Sequence, residues 1–114
     1  MQLITDEIRT QLLANGARFA ENPHFDPPPV VKLFTPDAGA TWLLASLDPE
    51  DPDIAFGLCD LGLGFPELGT VALSKIDEVR GAIGLPVERD LFFAADRPLS
   101  RYADEAVRAG GVRA

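Results

Sequence analysis

The sequence predicts a single α+β domain over residues 1–114, a mainly antiparallel β-meander sheet of about five strands with helices packed on one face. Three observations carry that expectation. The 114 residues match the commonest domain size, at which a chain hides roughly two-thirds of the surface exposed on unfolding. Between Val30 and Leu73 four short β-rich runs are joined by connections too short for a crossover, which makes neighbouring strands antiparallel. Before and after that block, apolar residues recur at the spacing of a helix face.

Thr5 followed by Asp6 and Glu7 starts the first helix, with a capping hydroxyl and two carboxylates at the positive end of the helix dipole. Ile4, Ile8, Leu12 and Leu13 follow at helical spacing, and Asn15-Gly16 predicts a left-handed stop. Pro27-Pro28-Pro29 makes a stiff, extended entry to the sheet. The four strands are Val30–Phe34, Thr41–Leu47, Ile54–Asp60 and Gly69–Leu73. In the third, Ile54, Phe56 and Leu58 alternate with Ala55, Gly57 and Cys59, and the small set predicts a close neighbour. Ser74 to Asp77 offers a capping-box-like start, with Ile76, Val79 and Ile83 as the inner face of a helix ending at Gly84. Val87–Phe93 is expected as a fifth strand. Leu99, Tyr102, Ala103, Ala106 and Val107 mark a last helix that Gly110-Gly111 stops. Trp42, in a central strand, is expected to be buried.

Charge is distributed unevenly. From Leu33 to Ser74 there are seven acidic side chains and no Lys or Arg, which accounts for most of the net charge of −8. A surface of one sign attracts basic partners and repels nucleic-acid phosphates, so the charge favours a protein partner, a basic one, over direct nucleic-acid binding. The single Cys59 excludes an internal disulfide framework and suits a reducing cytosol. The N-terminus lacks the pattern of a signal peptide, and no apolar run approaches the ~20 residues that span a bilayer. A cytoplasmic protein without membrane contact is expected.

The run VVKLFTPDAGATWLLASLDPEDPDIAFGLCDLGLGFPELGTVALSKI, then VRGAIGLPVERDLFF and the closing PLSRYA, closely resembles a family of small uncharacterised bacterial proteins, a domain of unknown function common on plasmids and integrative elements. KLFTPD, TW, FGLCDLG, ELG and LPVERD together carry the likeness, which covers nearly the whole chain. Thr70 departs from it, standing where an aromatic is expected after ELG. The resemblance implies a cytoplasmic protein that travels with mobile DNA, and it brings no catalytic residues.

Reaction chemistry is sparse. In Gly62–Gly69 the glycines Gly62 and Gly64 are followed by Pro66 and a strand instead of a helix, and acids flank them, so a β-turn loop explains them better than a phosphate cradle. His24, the only histidine, has no nucleophile motif beside it. One Cys and one His cannot build a zinc site, and two prolines with no central Gly break an EF-hand reading of Asp48–Asp53. No cofactor or metal is expected.

Two functional readings follow from the residues. In the first, a non-catalytic interaction module docks a protein through the acids Asp48, Glu50, Asp51, Asp60 and Glu67 and the apolar anchors Leu63 and Phe65. Of Leu61, Leu63, Phe65 and Leu68, two are expected to fold back into the core. A narrower version is a mimic of DNA charge. In the second, Glu67, Glu88, Arg89 and Asp90 converge as a carboxylate–arginine site that binds a ligand or acts as acid and base.

Overall fold

The computed structural model describes residues 2–114. Five strands, β1 (Val31–Phe34), β2 (Thr41–Asp48), β3 (Asp51–Asp60), β4 (Glu67–Ala72) and β5 (Glu88–Arg89), form one sheet in the order β4-β3-β2-β1-β5. Every pairing is antiparallel, so the expected meander is present and β5 returns to lie beside β1. Three helices, α1 (Asp6–Glu21), α2 (Leu73–Glu78) and α3 (Leu99–Ala109), complete a single α+β domain. Its radius of gyration of 13.3 Å is that of one compact unit of this length.

The helices divide between the two faces of the sheet, where the sequence reading put them on one. Leu12 and Ile76 pack with Leu33, Trp42, Leu44 and Leu47 on one side. Leu99, Tyr102, Ala103 and Ala106 of α3 pack with Leu43, Ala45 and Leu58 on the other. The cause is visible in β2, where every residue from Trp42 to Leu47 is buried. A strand buried along its whole length has no face to give to water and needs cover on both. Trp42 lies in the first cluster, 3% exposed, as expected.

Asn15-Gly16 does not stop α1, which continues to Glu21 and ends at the Asn22 cap. Two tertiary contacts explain the pair. The Asn15 amide donates to the Ala45 carbonyl at 2.8 Å, beside the register shift between Leu44 and Ser46, where a bulge leaves a carbonyl without a ladder partner. Gly16 packs directly on the Leu47 carbonyl, so closely that a Cβ there would overlap the oxygen. Both residues serve the docking of α1 on β2. The close neighbour of Gly57, likewise, is the β2 backbone at Leu43 and Leu44.

α2 begins near the expected Ser74 but stops at Glu78 instead of reaching Ile83. The chain then folds into a small loop closed by an Arg80–Pro86 bridge. Asp37 enters that loop and accepts from the amides of Ile83 (2.8 Å) and Leu85 (3.3 Å). Gly81 packs against the same carboxylate with no room for a side chain. Ile83 is consequently exposed. β5 is shorter than the expected Val87–Phe93, because the Asp90 carboxylate accepts from the Phe92 amide at 2.9 Å and turns the chain. Remote carboxylates hold both later helix starts. Asp53 accepts from the Ser74 amide (2.9 Å) and hydroxyl (2.7 Å), and Asp26 takes the Ser100 amide at 3.1 Å.

Candidate functional site

The β3–β4 connection presents apolar side chains to solvent. Leu61, Leu63, Phe65 and Leu68 are 61%, 73%, 79% and 45% exposed, so none of them returns to the core. The base of the loop is fixed. Asp60 is buried, and its two carboxylate oxygens accept from the Gly62 amide (2.8 Å) and the Val112 amide (3.0 Å). Gly62, at φ 79°, lies against Gly39, where a Cβ would come within 2.9 Å of the Gly39 oxygen. Only a glycine takes that conformation at that distance without strain. Pro66 is buried and closes the other side. Leu63, between the left-handed Gly62 and Gly64, is therefore held out at the tip of a pinned loop.

The acidic block is less available than its sequence suggests. Asp37, Asp53 and Asp60 tether the 80–86 loop, α2 and the C-terminal segment through hydrogen bonds, Asp60 from a buried position and Asp53 from an exposed one. Asp60 thus leaves the set of surface acids. Asp48, Glu50, Asp51 and Glu67 are exposed and take no part in any ion pair among the described residues. The hairpin register then separates them. Asp48, Glu50 and Asp51 sit at the β2–β3 turn, whereas Glu67 and the apolar loop sit at the far end of β3, about 30 Å away at the usual rise per residue. The expected single surface is two, one at each end of the sheet.

A cavity of about 500 Å³ opens at the acidic end, between α1 and the β2–β3 hairpin. Ser46, Phe56 and Thr70 run in register across three strands and line it together with Phe19 and Pro23 from the helix side. Phe19 meets Phe56 edge to face at 5.6 Å. Sequence reading missed this site, since Phe19 and Pro23 lie in a stretch without clear periodicity. In the sequence Thr70 stands out only as a departure from the family pattern.

The carboxylate–arginine set does not assemble. Glu67 is on β4 and Glu88 and Arg89 on β5, opposite edges of the sheet, about 19 Å apart across four strand spacings. Arg89 donates to the carbonyls of Gln2 (2.6 Å) and Leu3 (3.0 Å), which ties down the N-terminal segment. Asp90 pairs with Lys32 at 3.4 Å. Cys59 faces Glu67 across the β3–β4 ladder. Burial first, and then the Glu67 carboxylate, push its thiol above the ordinary value, which keeps it protonated and a poor nucleophile. His24 is exposed in the loop after α1. No group of three or more His, Cys, Asp or Glu among the described residues could hold a metal ion, and no helix of the described residues is long and apolar enough to cross a membrane.

Residues 3–113 match the family model described as a protein of unknown function, DUF2958, and the chain belongs to that family. No curated protein and no solved structure was found to match.

Proposed function

We propose that this DUF2958 member is a non-catalytic accessory module that docks a partner protein through the loop from Leu61 to Phe65. The single observation that carries the reading is the pinned base and exposed tip of that loop. Leaving large apolar side chains in water gives the fold nothing, and such patches on small proteins are typical of interaction sites. Glu67, and Leu68 on the unpaired edge of β4, would border the contact. The version in which the protein mimics DNA charge loses support, because three of the seven acids of the block are engaged in hydrogen bonds within the fold and the rest divide between two ends. The association with mobile DNA that the sequence resemblance implies belongs to this proposal and adds no residue to it.

The test is capture from a bacterial extract by the immobilised chain, with quantitative mass spectrometry of what is retained. A partner retained by the wild type and lost with Leu63→Ala and Phe65→Ala, both folded, is the expected result. Equal retention by wild type and both variants refutes the anchor.

A further inference from the structure

The end of the sheet opposite the apolar loop has its own binding geometry. Docking α1 through Gly16 brings the helix onto β2 at Leu47. The chain beyond that contact, with Phe19 and Pro23, stands over strand positions where Ser46 and Thr70 are too small to fill the space. What remains is the cavity of about 500 Å³, within the ~300–1,000 Å³ range of ligand pockets. Its aromatic wall is already arranged, with Phe19 held between Phe25 at 5.1 Å and Phe56 at 5.6 Å in edge contacts.

The electrostatics around it are one-sided. Asp48 lines the cavity, and Glu50 and Asp51 follow on the same turn. Among the described residues, their side-chain hydrogen bonds fix the turn itself: Asp48 accepts from the Glu50 amide (2.9 Å) and Asp51 from the Asp53 amide (3.3 Å). Arg18, beside Phe19 in the chain, folds over the Phe25 ring at 4.0 Å and does not line the cavity. An apolar hole next to unpaired carboxylates suits an occupant that is apolar in the middle and cationic around it. A neutral ligand would leave the carboxylates unused, and a second copy of this chain would bring another net charge of −8 towards them.

We propose that the cavity between α1 and the β2–β3 hairpin docks an extended basic segment of a partner protein. One aromatic side chain of the segment enters against Phe19 and Phe56, while its lysines or arginines face Asp48, Glu50 and Asp51. This site is separate from the Leu61–Phe65 loop and stands or falls without it.

The experiment titrates the isotope-labelled protein with the peptide acetyl-Lys-Lys-Trp-Leu-Lys-Lys-amide and follows backbone amide resonances. Shifts should concentrate at Phe19, Ser46, Phe56 and Thr70, and the affinity should fall as salt rises. Replacing the peptide Trp by Ala should weaken binding by about tenfold or more, the scale of losing a buried aromatic anchor. Thr70→Trp, from an exposed position on the rim, should block the cavity and abolish the aromatic preference without lowering the melting temperature. Ala20→Leu is the second plug should the first not fold. The proposal is overturned if no resonance shifts, or if the shifts map to the Leu61–Phe65 loop. Equal affinity for the Ala peptide, or unchanged binding by a folded plug variant, also overturns it. Indole binding as tightly as the peptide, with no salt dependence, would assign the cavity to a small neutral ligand instead.

Discussion

Truncating the tip of the apolar loop separates a docking anchor from a lid on the core. Leu63 and Phe65 keep 73% and 79% of their surface in water. Complete burial of a Leu or Phe side chain is worth ~1.5–3 kcal/mol, so the buried quarter contributes less than about 0.8 kcal/mol. Leu63→Ala and Phe65→Ala should each stay within that bound. Leu58→Ala, from a site that is 0% exposed on the same hairpin, should lose ~2–5 kcal/mol, because a cavity is left behind. Urea unfolding followed by far-ultraviolet circular dichroism measures both. With m-values of ~1–3 kcal/mol/M for a small domain, the loop variants should shift the midpoint by no more than roughly 0.3–0.8 M at an unchanged slope. A loss of more than about 2 kcal/mol at Leu63 or Phe65 would mean that the side chain is packed, and the reasoning from exposure would fail.

Gly16→Ala should destabilise by ~1–3 kcal/mol through overpacking against the Leu47 carbonyl, although helix propensity alone predicts a gain of about 1 kcal/mol; a raised melting temperature would contradict the close approach. Asp37→Ala should strand the Ile83 and Leu85 amides, lowering stability by ~1–3 kcal/mol, and speed hydrogen exchange at those two amides; unchanged exchange would show that the loop does not depend on the carboxylate. Cys59 has a raised thiol pKa in the folded state, so the unfolded chain ionises first as pH rises. Its contribution to stability is complete below the ordinary thiol value and is lost as pH climbs through the folded one. Native alkylation by iodoacetamide should therefore be slow at neutral pH and accelerate only in alkali, and rapid modification at neutral pH would refute it.

The core elements could be read because their signals are local. Thr5 and the two acids after it start α1, the alternation of β3 sets its pleat, and Gly110 ends α3 in the left-handed conformation. The misreadings share one cause, which is tertiary contact overriding a local sign. Asn15-Gly16 has the look of a helix stop, yet both residues answer to the distant β2 backbone, Asn15 to Ala45 and Gly16 to Leu47. Ile83 fits a helix face, but Asp37 claims the amides around it. The run Trp42–Leu47 of β2, apolar except for Ser46, does announce burial on both faces. That sign competes with the general habit of short antiparallel meanders, which usually keep one face wet. The cavity was hidden because its walls come from α1, the β2–β3 hairpin and β4, and no sequence window contains them all.

The acidic block itself shows why composition overstated one surface and missed another. Aspartate has the shortest acidic side chain, and in turns and at strand ends it accepts amide hydrogen bonds readily. Asp37, Asp53 and Asp60 do so across the fold, which makes them part of its assembly. Glu50 and Glu67, with longer side chains, are not used as acceptors in this way among the described contacts. Subtracting the tethers leaves a small charged group at the β2–β3 turn and a lone glutamate near the apolar loop. Antiparallel pairing then dictates their separation, since successive turns of a meander fall at opposite ends of the sheet. Salt should therefore discriminate between the two ends. Contacts at the hairpin cavity should weaken as carboxylates are screened, and contacts at the apolar tip should change little. A partner whose retention is insensitive to Asp48→Lys, Glu50→Lys and Asp51→Lys but lost with Phe65→Ala binds at the tip, and the reverse pattern places it at the cavity.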